Sequence, residues 1–320
     1  MINKKQAKVV VLRDETTSPE CGKRPFERSL SERLKFGIVN INKPQGPSSH
    51  QVSANVKQIL GVSKAGHSGT LDPNVTGCLV VALNSASRVN QFLLKAGKEY
   101  TCLLRLHAEI GEEKAREVVG SLVGSVKQVP PVRSAVKRVL REREVYYIDI
   151  LEVDPHYVLF RVGCQAGTYI RKLCTEIGEK AGIGAHMQQL IRTKAGPFNV
   201  EESVSLVDLQ DAYVEYKEGN DKALKSIIQP PEKAVSFMKG VWVGDRAVGN
   251  IAYGSDLFIA GVCKMSEGIE KGEIVAVYSL KDELVAVGEA STSGSGVKSL
   301  KKGVFVKTHK IFMERGIYPR

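Results

Sequence analysis

The sequence predicts an α+β protein in two domains, and three observations carry that expectation. From Phe36 onward, helix-period and strand-period segments interleave with several hairpin-like neighbours, unlike the strict alternation of a doubly wound sheet. A polar stretch, Lys217 to Lys222, then runs into Gln229-Pro230-Pro231, where a boundary is expected. Beyond it, short strands and glycine turns recur roughly every ten residues, as in a small β-barrel or sandwich. A chain of 320 residues is also long for one domain.

Element by element, residues 1–35 are polar and basic, lack a sustained period and contain Pro19 and Pro25. One short strand, Val9 to Leu12, is expected there. Phe36 to Ile41 reads as a strand and Lys43 to Pro47 (K-P-Q-G-P) as a rigid turn. Ser48 or Ser49 then caps a helix with Val52, Val56, Ile59 and Leu60 on one face, ended by Gly61. A loop to Gly77 leads into an apolar strand, Cys78 to Leu83, and a helix carrying Val89, Phe92, Leu93 and Ala96 follows. A strand opening at Tyr100 puts Cys102, Leu104 and Leu106 on the same face, with Arg105 and His107 opposite. Next come a helix over 112–123, a turn at Gln128 to Pro131, and a basic arm, Arg133 to Arg143, expected to face RNA. Strands over 145–151 and 157–164 lead to a helix capped by Thr168, with Ile170, Leu173, Cys174 and Ile177 inward. In the second domain, strands are expected at 241–243, 274–279, 284–290 and 303–306, with Lys281-Asp282 joining two as a hairpin.

Charge narrows the function classes. The chain holds 46 Lys+Arg against 35 Asp+Glu, a net charge of +11, with a pI near 9.3. That excess favours a polyanionic partner, nucleic acid first and an anionic membrane second. No apolar run approaches the roughly 18–20 residues of a membrane span, and no signal peptide is expected. Six dispersed cysteines form no C-x-x-C, which predicts reduced core thiols, an intracellular compartment and no structural zinc. His107-Ala108-Glu109 matches half of the zinc deaminase pattern, but no P-C-x-x-C completes it. Gly182-Ile183-Gly184 lacks the rest of a phosphate loop. Neither a metal nor a nucleotide cofactor is indicated.

Chemistry concentrates in Ala65 to Gly77, A-G-H-S-G-T-L-D-P-N-V-T-G. Its glycines, proline and small polar residues exclude a regular helix and favour a tight exposed path. Asp72 is then a lone carboxylate on a rigid loop, as nucleophilic or general-base chemistry requires. Arg171 falls off the apolar stripe of its helix and sits in the first turn, where the macrodipole disfavours a cation by roughly 0.3–1 kcal/mol. A carboxylate is its natural partner, and Asp72 is the candidate. Tyr100 reads either as a core tyrosine or as an aromatic platform for an unstacked base. His67 reads as a turn histidine or a contact to RNA.

Taken together, several runs resemble the TruB/dyskerin superfamily of pseudouridine synthases. They are Gly37 to His50, Ala65 to Gly77, Gly97 to Tyr100, Gln128 to Lys137, Gly167 to Leu173 and Gln189 to Phe198. The tail resembles a PUA domain, and the runs G-A-H-M-Q-Q-L and R-P-F-E-R-S-L resemble the archaeal and eukaryotic dyskerin branch; no lysine-rich tail is present, which favours an archaeal origin. The resemblance implies a mixed, mainly antiparallel sheet flanked by helices, followed by a PUA β-barrel. The implied domains are an extension over 1–36 packing with the PUA domain, a catalytic domain over 37–232 and the PUA domain over 233–320. It further implies that Asp72 is the essential carboxylate, as nucleophile or as base, with Arg171 paired to it and Tyr100 stacked on the target base. Tyr169 and Leu190 would shape the pocket, and His67 would contact RNA. The implied reaction is the isomerisation of uridine in rRNA and tRNA without a cofactor. The implied partners are an H/ACA guide RNA and small Nop-, Gar- and L7-type proteins, with no membrane and a cytoplasmic location.

Three other readings compete. A stand-alone tRNA T-loop synthase is disfavoured by the N-terminal extension and the PUA-like tail. A non-catalytic RNA-binding scaffold is disfavoured because Asp72, Tyr100 and Arg171 are all present. A glycoside hydrolase normally needs two carboxylates about one bond, and the loop offers Asp72 alone.

Overall fold

The computed structural model describes residues 8–130, 137–300 and 302–320. The described chain divides into two compact units, Ile38–Ile228 and residues 8–37 with Gln229–Arg320.

In the first unit, runs of apolar and β-branched residues build a nine-stranded sheet among the described residues. Its order is Ile38–Lys43, Thr76–Leu83, Ala185–Ala195, Lys98–Leu106, Tyr157–Cys164, Arg141–Asp154 and Gly124–Gln128, with Ala65–His67 and Phe198–Asn199 pairing beside the path. Thr76–Leu83 runs parallel to Ala185–Ala195, and the remaining pairs are antiparallel. Cys102, Leu104 and Phe160 from the strands pack with Val118, Leu173 and Ile177 from two helices, Glu112–Gly120 and Ile170–Ala181. Helix Ser49–Leu60 buries Val52, Val56 and Leu60, and Ser48 is its cap, accepting from the Gln51 N–H. Gly61 ends it in the left-handed region at φ 60°.

Several elements depart from expectation, each for a local reason. Phe36 lies outside the first strand, because Leu30–Lys35 is helical. Ser29 and Glu32 cap that helix reciprocally, a signal present in the sequence as S-L-S-E. The helix expected around Val89 to Ala96 is a 3-10 turn, Asn84–Val89, followed by one α-turn, Asn90–Leu93. It stops there because the Lys98 ammonium takes the carbonyls of Leu93, Leu94 and Ala96. The Tyr100 strand begins earlier, at Lys98, and the helix over 112–123 closes at Gly120. Thr168 does not cap the Ile170–Ala181 helix. Its hydroxyl donates back to the Gln165 carbonyl, and Tyr169 occupies the cap position, where its side chain does not cap the helix. Of the expected basic arm, residues 133–136 lie outside the described residues, while Arg141 and Arg143 are already in a strand.

The second unit holds a seven-stranded sheet among the described residues. Its order is Val9–Val11, Val262–Ser266, Gly240–Val243, Ile274–Ser279, Leu284–Ala290, Val304–Ile311 and Leu257–Phe258. Val9–Val11 pairs antiparallel with Val262–Ser266 at the sheet edge. The hairpin between Ile274–Ser279 and Leu284–Ala290 turns through Asp282, at φ 66°. Val241, Val277, Val285 and Phe305 are fully buried inside it. The α+β expectation therefore holds for the described residues. Among the described residues, no helix is long and apolar enough to cross a membrane.

Candidate active site

Asp72 opens a turn in which the Val75 N–H donates to the Asp72 carbonyl at 3.0 Å, with Pro73 supplying the fixed φ that such a turn favours. Leu71 and Val75, on either side, are buried in the core. A loop drawn into the interior must satisfy its main-chain polar groups there, and the sheet ladder does not reach it. Side chains do this instead. The Ser49 hydroxyl accepts from the Leu71 N–H at 2.8 Å and donates to the Leu71 carbonyl at 3.0 Å. The Lys43 ammonium, fully buried, donates to the carbonyls of Pro44, Pro73 and Val75 at 2.8, 3.0 and 2.9 Å. Arg192, 2% exposed, donates to the carbonyls of Cys78 at 2.8 Å and Gly69 at 3.2 Å. Gly77 lets the strands meet: at φ 103°, a Cβ there would lie 2.3 Å from the Arg192 carbonyl oxygen.

The first turn of the Ile170–Ala181 helix faces this loop. Arg171 Nη2 lies 2.9 Å from Asp72 Oδ2, with both side chains 49% exposed. The unfavourable position of a cation at a helix start is thus offset by a carboxylate. Gln128, buried, anchors that turn. Its amide accepts from the Tyr169 N–H at 2.9 Å and donates to the Tyr169 carbonyl at 3.2 Å.

Tyr100 is half-buried on the neighbouring strand, in register with Arg192 and Val162. Burial pushes its hydroxyl above the usual tyrosine range; Arg192 opposes this by charge and by a side-chain hydrogen bond, and the Asp72 charge adds to it. The residue before it, Glu99, is buried and accepts from Tyr147 and from Thr193 Oγ1 at 2.8 Å, with Lys194 Nζ at 3.3 Å. Burial opposes ionisation of Glu99, but these donors hold it below the usual carboxylate range.

Of the six residues expected at the site, Asp72 and Arg171 touch, and Tyr100 feels the Asp72 charge. Leu190 is buried at 8% exposure and pairs in register with Cys102, two residues beyond Tyr100. Tyr169 is half-buried at the helix start. His67 packs edge-on against His50, with ring centroids 4.8 Å apart. Both of its ring nitrogens are buried without a hydrogen-bond partner. Burial first, then the His50 and Arg192 charges, lowers its basicity. Lys43, Ser49, Gln128 and Arg192 were not among the expected site residues. Lys43 stood in a run read as a turn, and Arg192 in a run that resembled the family without an assigned role.

Comparisons with known proteins decide what this arrangement belongs to. The model of the TruB family pseudouridylate synthase (N terminal domain) matches residues 57–170, and the tRNA pseudouridylate synthase B C-terminal domain matches 171–236. A PUA domain matches 239–312, and a DKCLD domain matches 2–53. The "probable tRNA pseudouridine synthase B" of Methanothermobacter thermautotrophicus is 48% identical over 315 residues, 98% of this chain and 97% of its own. The chain belongs to the TruB family of pseudouridine synthases. This synthase is also 48% identical to the protein of the same description from Pyrococcus horikoshii, over 97% of this chain and 94% of that one. Among solved structures it is similar to a chain of a Cbf5-Nop10-Gar1 complex, with TM-score 0.94 and 46% identity, covering 98% of this chain and 97% of that one. An H/ACA RNP bound to a substrate RNA containing 2'-deoxyuridine gives TM-score 0.93 and 44% identity, over 98% and 97% of the two chains. The synthase is accordingly an RNA-modifying isomerase with a C-terminal PUA domain.

Proposed function

We propose that this synthase converts uridine to pseudouridine at sites chosen by an H/ACA guide RNA, with Asp72 as the reacting carboxylate. The observation that carries the guide-dependent reading is likeness over nearly the whole chain to the Cbf5-Nop10-Gar1 complex and to the H/ACA RNP with substrate. The partners are the guide RNA, small proteins of the Nop, Gar and L7 kinds, and rRNA or tRNA substrate, and the setting is the cytoplasm. Residues 37–232 carry the chemistry, residues 233–320 grip RNA, and the extension over 1–36 packs with the latter.

The reaction breaks the N1–C1′ bond, turns the base and joins C5 to C1′, while the C5 proton leaves and N1 gains one. Atoms and electrons balance without a cofactor. The uridine must leave its stack first, because C5 and N1 cannot exchange places between neighbouring bases. Tyr100 then stacks on the flipped base, with Tyr169 and Leu190 bounding the pocket and His67 against the RNA. Arg171, 2.9 Å from Asp72 Oδ2, orients the carboxylate, so one oxygen can attack C1′ or take a ribose proton. Placement of the uridine a few ångströms from Asp72 is the step that guide pairing supplies.

A second reading, direct modification of tRNA, is favoured by the description of the archaeal relatives as tRNA pseudouridine synthase B. One experiment separates the two. The purified protein is given an rRNA fragment and a tRNA, with and without an H/ACA guide complementary to the fragment and the small partner proteins. Guide dependence predicts modification of the one unpaired uridine in the fragment, moving when the guide is changed. Modification of a T-loop uridine alone, indifferent to the guide, would overturn it.

A further inference from the structure

Glu99 is buried within the sheet of the first unit, and donors reach its carboxylate from both sides of its strand. On one side the register shifts. Glu99 pairs with Lys194, while the next residue, Tyr100, pairs with Arg192. Thr193 is therefore the extra residue of a β-bulge, and Thr193 and Lys194 together stand opposite Glu99. Each puts a donor on it, Thr193 Oγ1 at 2.8 Å and Lys194 Nζ at 3.3 Å. On the other side, Gly163 lies between Glu99 and Tyr147 and is paired with each. Having no side chain, Gly163 leaves the Tyr147 hydroxyl a path across its strand to the carboxylate, where it donates.

The bulge decides which residues face Tyr100. Side chains alternate between the faces of a sheet, so one extra residue reverses the faces of those beyond it. Continued without a bulge, the Glu99–Lys194 register would set Tyr100 opposite Thr193 and Thr101 opposite Arg192, turning Arg192 to the far face. With the bulge, Arg192 stands opposite Tyr100 and Leu190 opposite Cys102. From there the Arg192 side chain hydrogen-bonds Tyr100 and the carbonyls of Cys78 and Gly69, the latter in the Asp72 loop. An apolar residue would fill the place of Glu99 at lower desolvation cost. A carboxylate adds a defined register, because its oxygens accept from both bulged side chains at once.

Resting on the reading of Tyr100 as the platform for the flipped uridine, we propose that Glu99 is a positioning residue of the synthase. By holding Thr193 and Lys194 it fixes the bulge, and with it the placement of Arg192 and Leu190 against Tyr100. Glu99 lies on the opposite face of the strand from Tyr100, so it acts through these residues and not on the RNA. Its loss therefore slows the turnover of bound RNA and leaves RNA affinity unchanged.

Thr193 offers the mildest test, because valine keeps its shape and β-branch without the hydroxyl. In single-turnover assays with guide RNA and partner proteins, Thr193→Val should slow pseudouridine formation by about tenfold, part of the roughly hundredfold that a displacement of about 1 Å costs. Thr193→Ser, which keeps the hydroxyl, should return to near the parental rate. Glu99→Gln should slow the reaction further, since one amide oxygen cannot serve all three donors. The Arg192 Nε–H, which donates to the Cys78 carbonyl, reports placement without any activity. Its ¹H–¹⁵N resonance should shift and exchange faster in Thr193→Val and Glu99→Gln and stay parental in Thr193→Ser. Tyr100→Ala in the same assay separates the two levels. If it turns over near the parental rate, the reading of Tyr100 falls and the role of Glu99 falls with it. If Tyr100→Ala is slow while Thr193→Val and Glu99→Gln react near the parental rate, the role of Glu99 alone is overturned. An unchanged Arg192 resonance in both variants, failure of serine to restore what valine loses, or rate losses matched by lost RNA affinity would overturn it equally.

Discussion

Replacing Ser49 by alanine separates the support of the Asp72 loop from the support of the fold. The Ser49 oxygen makes two hydrogen bonds, to both main-chain groups of Leu71, in a fully buried setting. Alanine leaves an N–H and a C=O unpaired where water does not reach, at about 1–3 kcal/mol each. Position 49 is the first residue of its helix, so the better propensity of alanine returns only a few tenths of a kcal/mol. Allowing for partial relaxation, the loss is about 2–3 kcal/mol, visible as a lower urea midpoint with an unchanged slope. The chemical effect should be larger than the binding effect. Leu71 precedes Asp72, and a displacement of about 1 Å at a reacting group costs about a hundredfold. Single-turnover pseudouridine formation should therefore slow by about 10–100-fold, while RNA affinity changes little. Ser49→Cys, which keeps the shape but is a poor hydrogen-bonding group, should behave like alanine. A stability loss of the expected size with turnover within about twofold of the parent would refute the reasoning, since the bond would then hold the fold and not the carboxylate.

Asp72→Asn should keep RNA affinity and melting temperature, because an exposed ion pair contributes only about 0–1 kcal/mol, yet lower pseudouridine formation by at least about 10²–10⁴; turnover within about tenfold of the parent would remove Asp72 from the chemistry. Arg171→Lys should lose nearly as much activity as Arg171→Ala, since an ammonium does not reproduce a planar fork. Recovery to near parental rate by lysine would mean that charge alone suffices. His67 should shape the acid side of the stability profile. Its folded basicity is lowered by burial, so below the ordinary histidine range near 6.5 the unfolded chain binds a proton that the folded chain resists. The His67 contribution is present above that range and is lost as pH falls through it, and His67→Gln should flatten urea midpoints between neutral and mildly acidic pH. RNA affinity of the whole chain, with its charge of +11, should fall with salt on a log–log slope of about −0.7 to −0.9 per neutralised phosphate; a flat filter-binding curve would contradict an electrostatic grip.

The legible and illegible parts of this synthase differ in a physical way. Asp72 stood out because its neighbours, Pro73 and Gly69 among them, are residues that make turns, and turn chemistry is local. Arg171 stood out because it broke the apolar stripe of its own helix. The strands Ile274–Ser279 and Leu284–Ala290 were readable to the residue, since apolar runs between turn residues need no distant partner to be recognised. Thr168 misled for the same reason: its type suits a cap, but the Gln165 carbonyl, three residues back, captured its hydroxyl.

Lys43, Ser49, Gln128 and Arg192 belong to another category. A lysine beside a proline turn reads as solvated, and nothing local says that carbonyls at Pro73 and Val75, about thirty residues away, will converge on it. Their common role explains their burial. Loops that carry reacting groups cannot share the sheet's hydrogen-bond ladder, yet Leu71 and Val75 anchor this one in the core, where unpaired main-chain groups are costly. Buried polar side chains must then stand in for a ladder: Ser49 and Gln128 each pair with both main-chain groups of one residue, while Lys43 and Arg192 gather several carbonyls. The costly burial of two cations becomes tolerable because each is surrounded by oxygens. In this unit, the buried polar residues around Asp72 and Tyr169 therefore trace the loops on which the proposed chemistry rests, and they do so independently of Asp72 itself.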